Sequence, residues 1–119
     1  MSTILVVEDT LAHQQLICGS LQREGHTVVI AGSEKEALDK INKQKPDLIV
    51  LDVVLPDRSG FELCRDLRDN ESTKKVPIVM CSSKSSNMDK YWGIQQGADA
   101  YLAKPVDVEE LMKVVRKLA

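Results

Sequence analysis

Short, almost wholly apolar runs alternate along the chain with longer segments whose apolar residues recur at helical spacing. Ile4-Leu5-Val6-Val7 is apolar throughout, rich in β-branched residues and too short for a helix, and predicts a buried strand. Leu11 to Arg23 predicts a helix with Leu16, Ile17 and Leu21 on its inner face and Gly25 as its stop. Thr27 to Ala31 is a second strand. Ser33 and Glu36 have capping-box spacing and open a helix to about Lys43, with Ala37, Leu38 and Ile41 turned inward. After Pro46, Asp47 to Leu51 is a third strand ending at Asp52.

The same alternation fills the second half. Ser59 and Glu62 repeat the box spacing before a helix whose inner face is Phe61, Leu63, Cys64 and Leu67. Val76 to Cys81 is a fourth strand, with Pro77 tolerable near its start. The polar stretch Ser82 to Asn87 leads into a helix through Gln96, stopped by Gly97. Ala100 to Ala103 is a fifth strand. Asp107 caps a last helix carrying Val108, Leu111, Met112, Val115 and Leu118 at helical spacing. Strands this apolar are buried on both faces, which requires helices on both sides of a parallel sheet. The expectation is a single doubly wound α/β domain, (βα)5, over residues 1–119, with no output domain.

Composition narrows the functional classes. With 119 residues, 43% apolar and 29% charged, the chain suits one globular domain rather than a disordered one. Lys plus Arg number 16 against 18 Asp plus Glu, a net charge of −2, so there is no basic surplus for direct nucleic-acid binding. No apolar run approaches the roughly 20 residues that span a bilayer, and since Met1-Ser2-Thr3 leads straight into a strand-like run, a signal peptide is not expected. Cys18, Cys64 and Cys81 are an odd number, widely spaced, and fit neither a disulfide framework nor a zinc site. A cytoplasmic protein without membrane insertion is expected, with the cysteines as small core residues.

In open α/β sheets, ligands sit outside the carboxyl ends of the strands. The residues following each strand are therefore the most informative. Glu8 and Asp9 follow the first, Asp52 the third, Ser82 and Ser83 the fourth, and Lys104 and Pro105 the fifth. Only the second ends blandly, at Gly32 and Ser33. Clustered carboxylates repel one another until a cation joins them, and an all-oxygen set suits a hard divalent ion such as Mg²⁺. A carboxylate can also attack phosphorus to give an aspartyl phosphate. Lys104 and Ser82 would supply the charge and hydrogen bond that such a group needs. Any one of these residues alone reads as a turn acid, a solvated lysine or a loop serine; their coincidence on one rim favours chemistry.

Glu8-Asp9, Asp52 in LDVVLPDRSGFE, Ser82 after VPIVMC and Lys104-Pro105 in GADAYLAKPV resemble the receiver domain of two-component response regulators, the CheY-like fold. The resemblance covers essentially the whole chain. The stretch DKYWGIQQGADAYLAKPV looks most like the PilH-type regulators of type IV pilus motility and phototaxis. The resemblance implies strand order 2-1-3-4-5 and Asp52 as phosphoacceptor. It implies Mg²⁺ held by Asp9, Asp52 and the Val54 carbonyl, with Glu8 acting through water. Lys104 and Ser82 would each meet a phosphoryl oxygen, Ser82 would couple to an outward aromatic switch at Tyr101, and the Lys104–Pro105 bond would be cis. The implied partners are a histidine kinase or histidine phosphotransfer domain and a downstream protein. They would meet a monomer or weak dimer through the surface of the fourth helix, fifth strand and fifth helix.

The chain departs from the commonest pattern with Glu8 for Asp, Ser82 for Thr, Ser83 for Ala and Leu55 for Met. Val54 and Lys84 stand where family side chains flank the path of hydrolytic water. A Mg²⁺-dependent phosphatase lacks a second carboxylate two residues after Asp52, where Val54 stands, and has no cap to enclose a substrate. A flavodoxin-like FMN carrier lacks a phosphate loop after the first strand. A phosphate sink or a pseudo-receiver acting only by binding is the remaining alternative. Of the rest, one of Tyr91 and Trp92 is expected to be exposed. His13 and His26 have no ligand-like spacing, Gly93 and Gly97 carry no membrane meaning, and Gly19 suggests a close approach inside the first helix.

Overall fold

A computed structural model describes residues 2–119. Five strands alternate with five helices: β1 (Thr3–Val7), α1 (Leu11–Arg23), β2 (Thr27–Ala31), α2 (Glu34–Lys43), β3 (Leu48–Leu51), α3 (Gly60–Asp69), β4 (Ile78–Ser82), α4 (Asn87–Gln95), β5 (Ala100–Ala103) and α5 (Val108–Leu118). All strands are parallel in the order β2-β1-β3-β4-β5. The order reverses direction between β1 and β3, whose carboxyl ends carry Glu8, Asp9 and Asp52. That is the switch point at which such sheets bind ligands.

Alternate strand residues feed two cores. Ile4, Val6, Leu48, Val50, Val79 and Cys81 pack beneath α1 and α5, against Ile17, Leu21, Leu111 and Val115. Leu5, Val7, Ile49, Leu51, Ile78 and Met80 face the other way, against Ala37, Leu63, Cys64 and Leu67. The three cysteines are buried and free. Burial on both faces is what lets short strands tolerate continuous apolar sequence.

Helix ends follow local chemistry. The Gly25 N–H meets the Gln22 carbonyl and the His26 N–H the Leu21 carbonyl, a Schellman closure that needs the positive φ of Gly25. The Asp107 carboxylate accepts from the Glu109 and Glu110 N–H groups. The two expected capping boxes form only in half. Ser33 accepts from Glu36 N–H, but the Glu36 carboxylate turns to the Gly32 N–H. Ser59 accepts from Phe61 N–H, and Glu62 pairs with Arg58 instead. The complete box is Ser86 with Asp89 on α4, a spacing with Asp in place of Glu.

Several expectations shift. β4 starts at Ile78 rather than Val76, because Pro77 has no N–H to donate and the Ile78 N–H is taken by the Asp99 carboxylate. β3 starts at Leu48, since the Asp47 carboxylate caps the Thr3 N–H. Leu16 and Leu38 are exposed, each one helical step beyond the buried arc set by Ile17 and Ala37. Gly19 makes no close approach; a Cβ there would meet only Arg23 at an ordinary 3.7 Å. Tyr91 and Trp92 are both exposed, because α4 touches the sheet mainly through Gly93. His26 accepts from the Ser2 N–H through Nδ1, and His13 is half-buried. Among the described residues, no helix is long and apolar enough to cross a membrane.

Candidate functional site

Glu8, Asp52 and Lys104 are the first residues off β1, β3 and β5, and the sheet's own hydrogen bonds aim them. The Glu8 N–H donates to the Ala31 carbonyl, the Asp52 N–H to the Val7 carbonyl and the Lys104 N–H to the Ser82 carbonyl. Each backbone is thus registered against a neighbouring strand although its side chain has left the core. The Lys104–Pro105 bond is cis.

These anchors bring three of the residues into one buried cluster. Lys104 Nζ lies 2.6 Å from Glu8 Oε1 and 2.8 Å from Asp52 Oδ2. Glu8 and Asp52 are buried, so the ammonium offsets charges that would otherwise be costly out of water. Burial alone would depress the Lys104 pKa, but the hydrogen bonds and charges of Asp52 and Glu8 prevail and hold it above the ordinary lysine range. The second oxygen of each carboxylate takes a backbone donor. Thr10 N–H meets Glu8 Oε2 at 3.0 Å, and Val54 N–H meets Asp52 Oδ1 at 3.1 Å. Asp9, next in sequence, is exposed at the mouth.

Glu8, Asp9 and Asp52 offer carboxylate oxygens that all lie within 4.8 Å of one another. An ionised carboxylate has about four acceptor positions, so one ammonium and one N–H apiece leave room for a cation. The donor set is oxygen only and partly open to solvent, which fits Mg²⁺ with waters completing its shell. The cluster could therefore hold a hard cation beside the Asp52 carboxylate, with the Lys104 ammonium bonded to two of its acids.

Ser82, the last residue of β4, is fully buried, and its hydroxyl accepts from the Lys84 N–H at 3.2 Å rather than meeting Asp52. Tyr101 does not point outward. Its ring packs with the α3-side core and against Gly93, and its hydroxyl donates to the Lys84 carbonyl. Burial pushes the phenol up to about 12, with the Ser82 hydroxyl pulling the other way. Ser82 and Tyr101 thus grip the same residue, Lys84, one through its N–H and one through its carbonyl.

Residues 4–116 match the family of response regulator receiver domains. The chain belongs to that family. PilH from Pseudomonas aeruginosa is 34% identical over 97% of this chain and 95% of its own. The alkaline phosphatase synthesis transcriptional regulatory protein PhoP from Bacillus subtilis is 40% identical over 97% of this chain but 47% of its own. The receiver thus spans nearly all of PilH and about half of the transcriptional regulators that it resembles. A response regulator from Chloroflexus aurantiacus superposes with a TM-score of 0.94 at 35% identity, covering 98% of this chain and 96% of that one. The chemotaxis protein CheY4 of Vibrio cholerae does so at 0.92 and 33%, covering 100% and 99%. Receivers are phosphoryl-accepting signalling modules rather than conventional enzymes, and they bind Mg²⁺ at an acidic pocket.

Two features of this receiver's site were not legible as such. A Cβ on Gly60 would fall 2.2 Å from the Asp52 carbonyl oxygen, so the start of α3 can approach the acceptor strand only as glycine. Its N–H donates to the Val53 carbonyl at 2.7 Å. The signal in sequence was the Ser59-Gly60 pair at a helix start. The second feature is the ionic cluster around Arg58, whose partners Glu34, Glu62 and Asp66 come from two helices.

Proposed function

We propose that Asp52 accepts a phosphoryl group from a phosphohistidine on a histidine kinase or phosphotransfer domain, and that the modified receiver controls a downstream protein. A carboxylate oxygen of Asp52 attacks phosphorus as the phosphorus–nitrogen bond breaks, and the imidazole leaves with a proton from solvent. Water later attacks the phosphoryl group, releasing inorganic phosphate and restoring the carboxylate. Glu8, Asp9, Asp52 and the Val54 carbonyl would hold Mg²⁺, which supplies charge neutralisation at the phosphoryl oxygens when bound. Lys104 leaves its partners Glu8 and Asp52 to pair with one phosphoryl oxygen, and Ser82 donates to another. Since Ser82 already bonds the Lys84 N–H and Tyr101 the Lys84 carbonyl, drawing the hydroxyl toward Asp52 pulls on the segment that Tyr101 holds. The surface formed by α4, β5 and α5 changes accordingly.

The observation that carries this reading is the buried Lys104 ammonium between Glu8 and Asp52, with Asp9 beside them. A structural ion pair needs one acid; three acids and a strand-end lysine at the switch point support a phosphoryl pocket. The protein would act in the cytoplasm as a monomer or weak dimer, and the likeness to PilH supports pilus motility or phototaxis as the controlled process. The test is intact-mass measurement after incubation with acetyl phosphate and Mg²⁺. One phosphoryl adduct is expected, lost with chelator and in Asp52→Asn. An unmodified wild type at saturating donor would leave a binding-only pseudo-receiver. Recovery of only transcription machinery by the phosphorylated form would sink the motility assignment.

A further inference from the structure

The segment between β3 and α3 runs from Asp52 to Ser59 and contains the main-chain oxygen, at Val54, that the proposed function assigns to Mg²⁺. Val54 cannot hold itself in place by packing, since it is 51% exposed. Near its start the segment is fixed by the Val54 N–H on Asp52 Oδ1 and by the Gly60 N–H on the Val53 carbonyl. Its far end is fixed differently. The Asp57 carboxylate accepts from both the Glu34 N–H (3.0 Å) and the Lys35 N–H (3.1 Å), the first turn of α2. These bonds hold the Asp57 carboxyl below its usual range. Arg58 then meets Glu34 at 3.0 Å, Glu62 at 3.0 Å and Asp66 at 2.8 Å, joining α2 to α3 across the segment.

Stability does not explain this cluster. Ion pairs of side chains as open as Arg58, at 36% exposure, contribute little in solution. Among the described residues, Glu34 Oε2 is moreover buried without a hydrogen-bond partner, a cost that the fold carries at the same place. What the cluster does fix is geometry. Five contacts to two helices leave the segment from 54 to 58 little freedom. An ion that demands near-ideal octahedral geometry is sensitive to the placement of a carbonyl.

We infer that Asp57 and Arg58 are positioning residues that hold the Val54 main chain for Mg²⁺ binding; the inference rests on the proposed function of the site. Electrostatics alone would give the opposite sign for Arg58, because removing a cation near an acidic pocket strengthens its pull on Mg²⁺. Positioning makes Arg58→Ala weaken Mg²⁺ binding by about 10-fold, the size typical of lost outer-shell support.

Calorimetric titration of Mg²⁺ into wild type and Arg58→Ala decides the matter, with circular dichroism to verify folding. The extent of phosphorylation by acetyl phosphate at saturating Mg²⁺ should be unchanged, while the Mg²⁺ concentration for half-maximal modification rises by the same factor. Arg58→Lys, which keeps the charge but cannot reach three carboxylates, should weaken binding by a smaller factor and serves if the alanine variant does not fold. Wild-type or tighter Mg²⁺ binding in a folded variant overturns the inference. A wild type that binds no Mg²⁺ at millimolar concentration overturns instead the proposed function beneath it.

Discussion

Helices α4 and α5 stand beside the same edge of the sheet and are attached to it in opposite ways. α5 buries Leu111, Met112 and Val115 in the core that it shares with α1, and Arg116 pairs with Glu24 at its outer edge. α4 buries only Gly93, while Met88, Tyr91 and Trp92 are 74%, 59% and 49% exposed. Apolar burial is the main adhesive between helix and sheet, so α5 is fastened and α4 is held mostly by Gly93 against the Tyr101 ring and Met80, its capping box being internal to the helix. Elements with few buried contacts are the ones that move at low free-energy cost. The weakly held helix is also the one whose leading loop, at Lys84, is bonded by both Ser82 and Tyr101. Ser82 at the polar rim is thereby linked through Lys84 to the helix with the least buried apolar surface.

The contrast can be broken most forcefully in α5. Leu111→Ala removes a fully buried side chain and should cost about 2–5 kcal/mol in urea unfolding, as buried leucine truncations do. A cost under about 0.5 kcal/mol would show that α5 is no better fastened than α4. Gly93→Ala comes next. Its new Cβ would lie 2.6 Å from Tyr101 Cδ2 and 3.0 Å from Met80 Sδ, so the ring or the helix must shift, at about 1–3 kcal/mol. Faster hydrogen exchange confined to α4 is the expected signature, and exchange unchanged there would argue against the tight seat.

Alkaline pH acts on both faces at once. Burial raises the thiol of Cys64 from 9.0 to about 11 and that of Cys81 from 9.0 to about 12, and the Tyr101 phenol from 10.0 to about 12. Each raised group favours the fold fully below its unfolded value and loses that contribution as pH climbs through its folded one. Stability in EDTA should therefore hold to about pH 9 and fall between there and pH 12. Thiol reagents at pH 8 should label the cysteines only on unfolding. The smallest effect belongs to Trp92→Ala, within about 0.5 kcal/mol, because the indole is half in water already.

The strand and helix alternation was legible almost to the residue, because burial on both faces writes continuous apolar runs and the stops and caps are local. The acidic cluster was legible for the same reason: Glu8, Asp52 and Lys104 are the first residues off β1, β3 and β5, and strand order brings them together, whereas Ser82 ends β4 and turns to the Lys84 N–H. Rotation of a helix about its axis was not. Leu16 beside Ile17 and Leu38 beside Ala37 differ by one helical step, and only the neighbouring sheet decides which is covered. Arg58 was silent because its partner Glu34 lies 24 positions away, and Asp57 caps a helix 23 positions earlier. The Tyr101 ring turned inward because glycine at 93 leaves it a seat, a vacancy seen only once α4 and β5 are adjacent.

Hydrogen exchange on the receiver with and without phosphorylation, in Mg²⁺, tests the central claim most directly. The expected result is the largest change in protection from Lys84 through α4, a smaller change in β5 and α5, and no change in Asp52→Asn. Protection in α4 that ignores a verified adduct on Asp52, or that changes equally in α5, would contradict it.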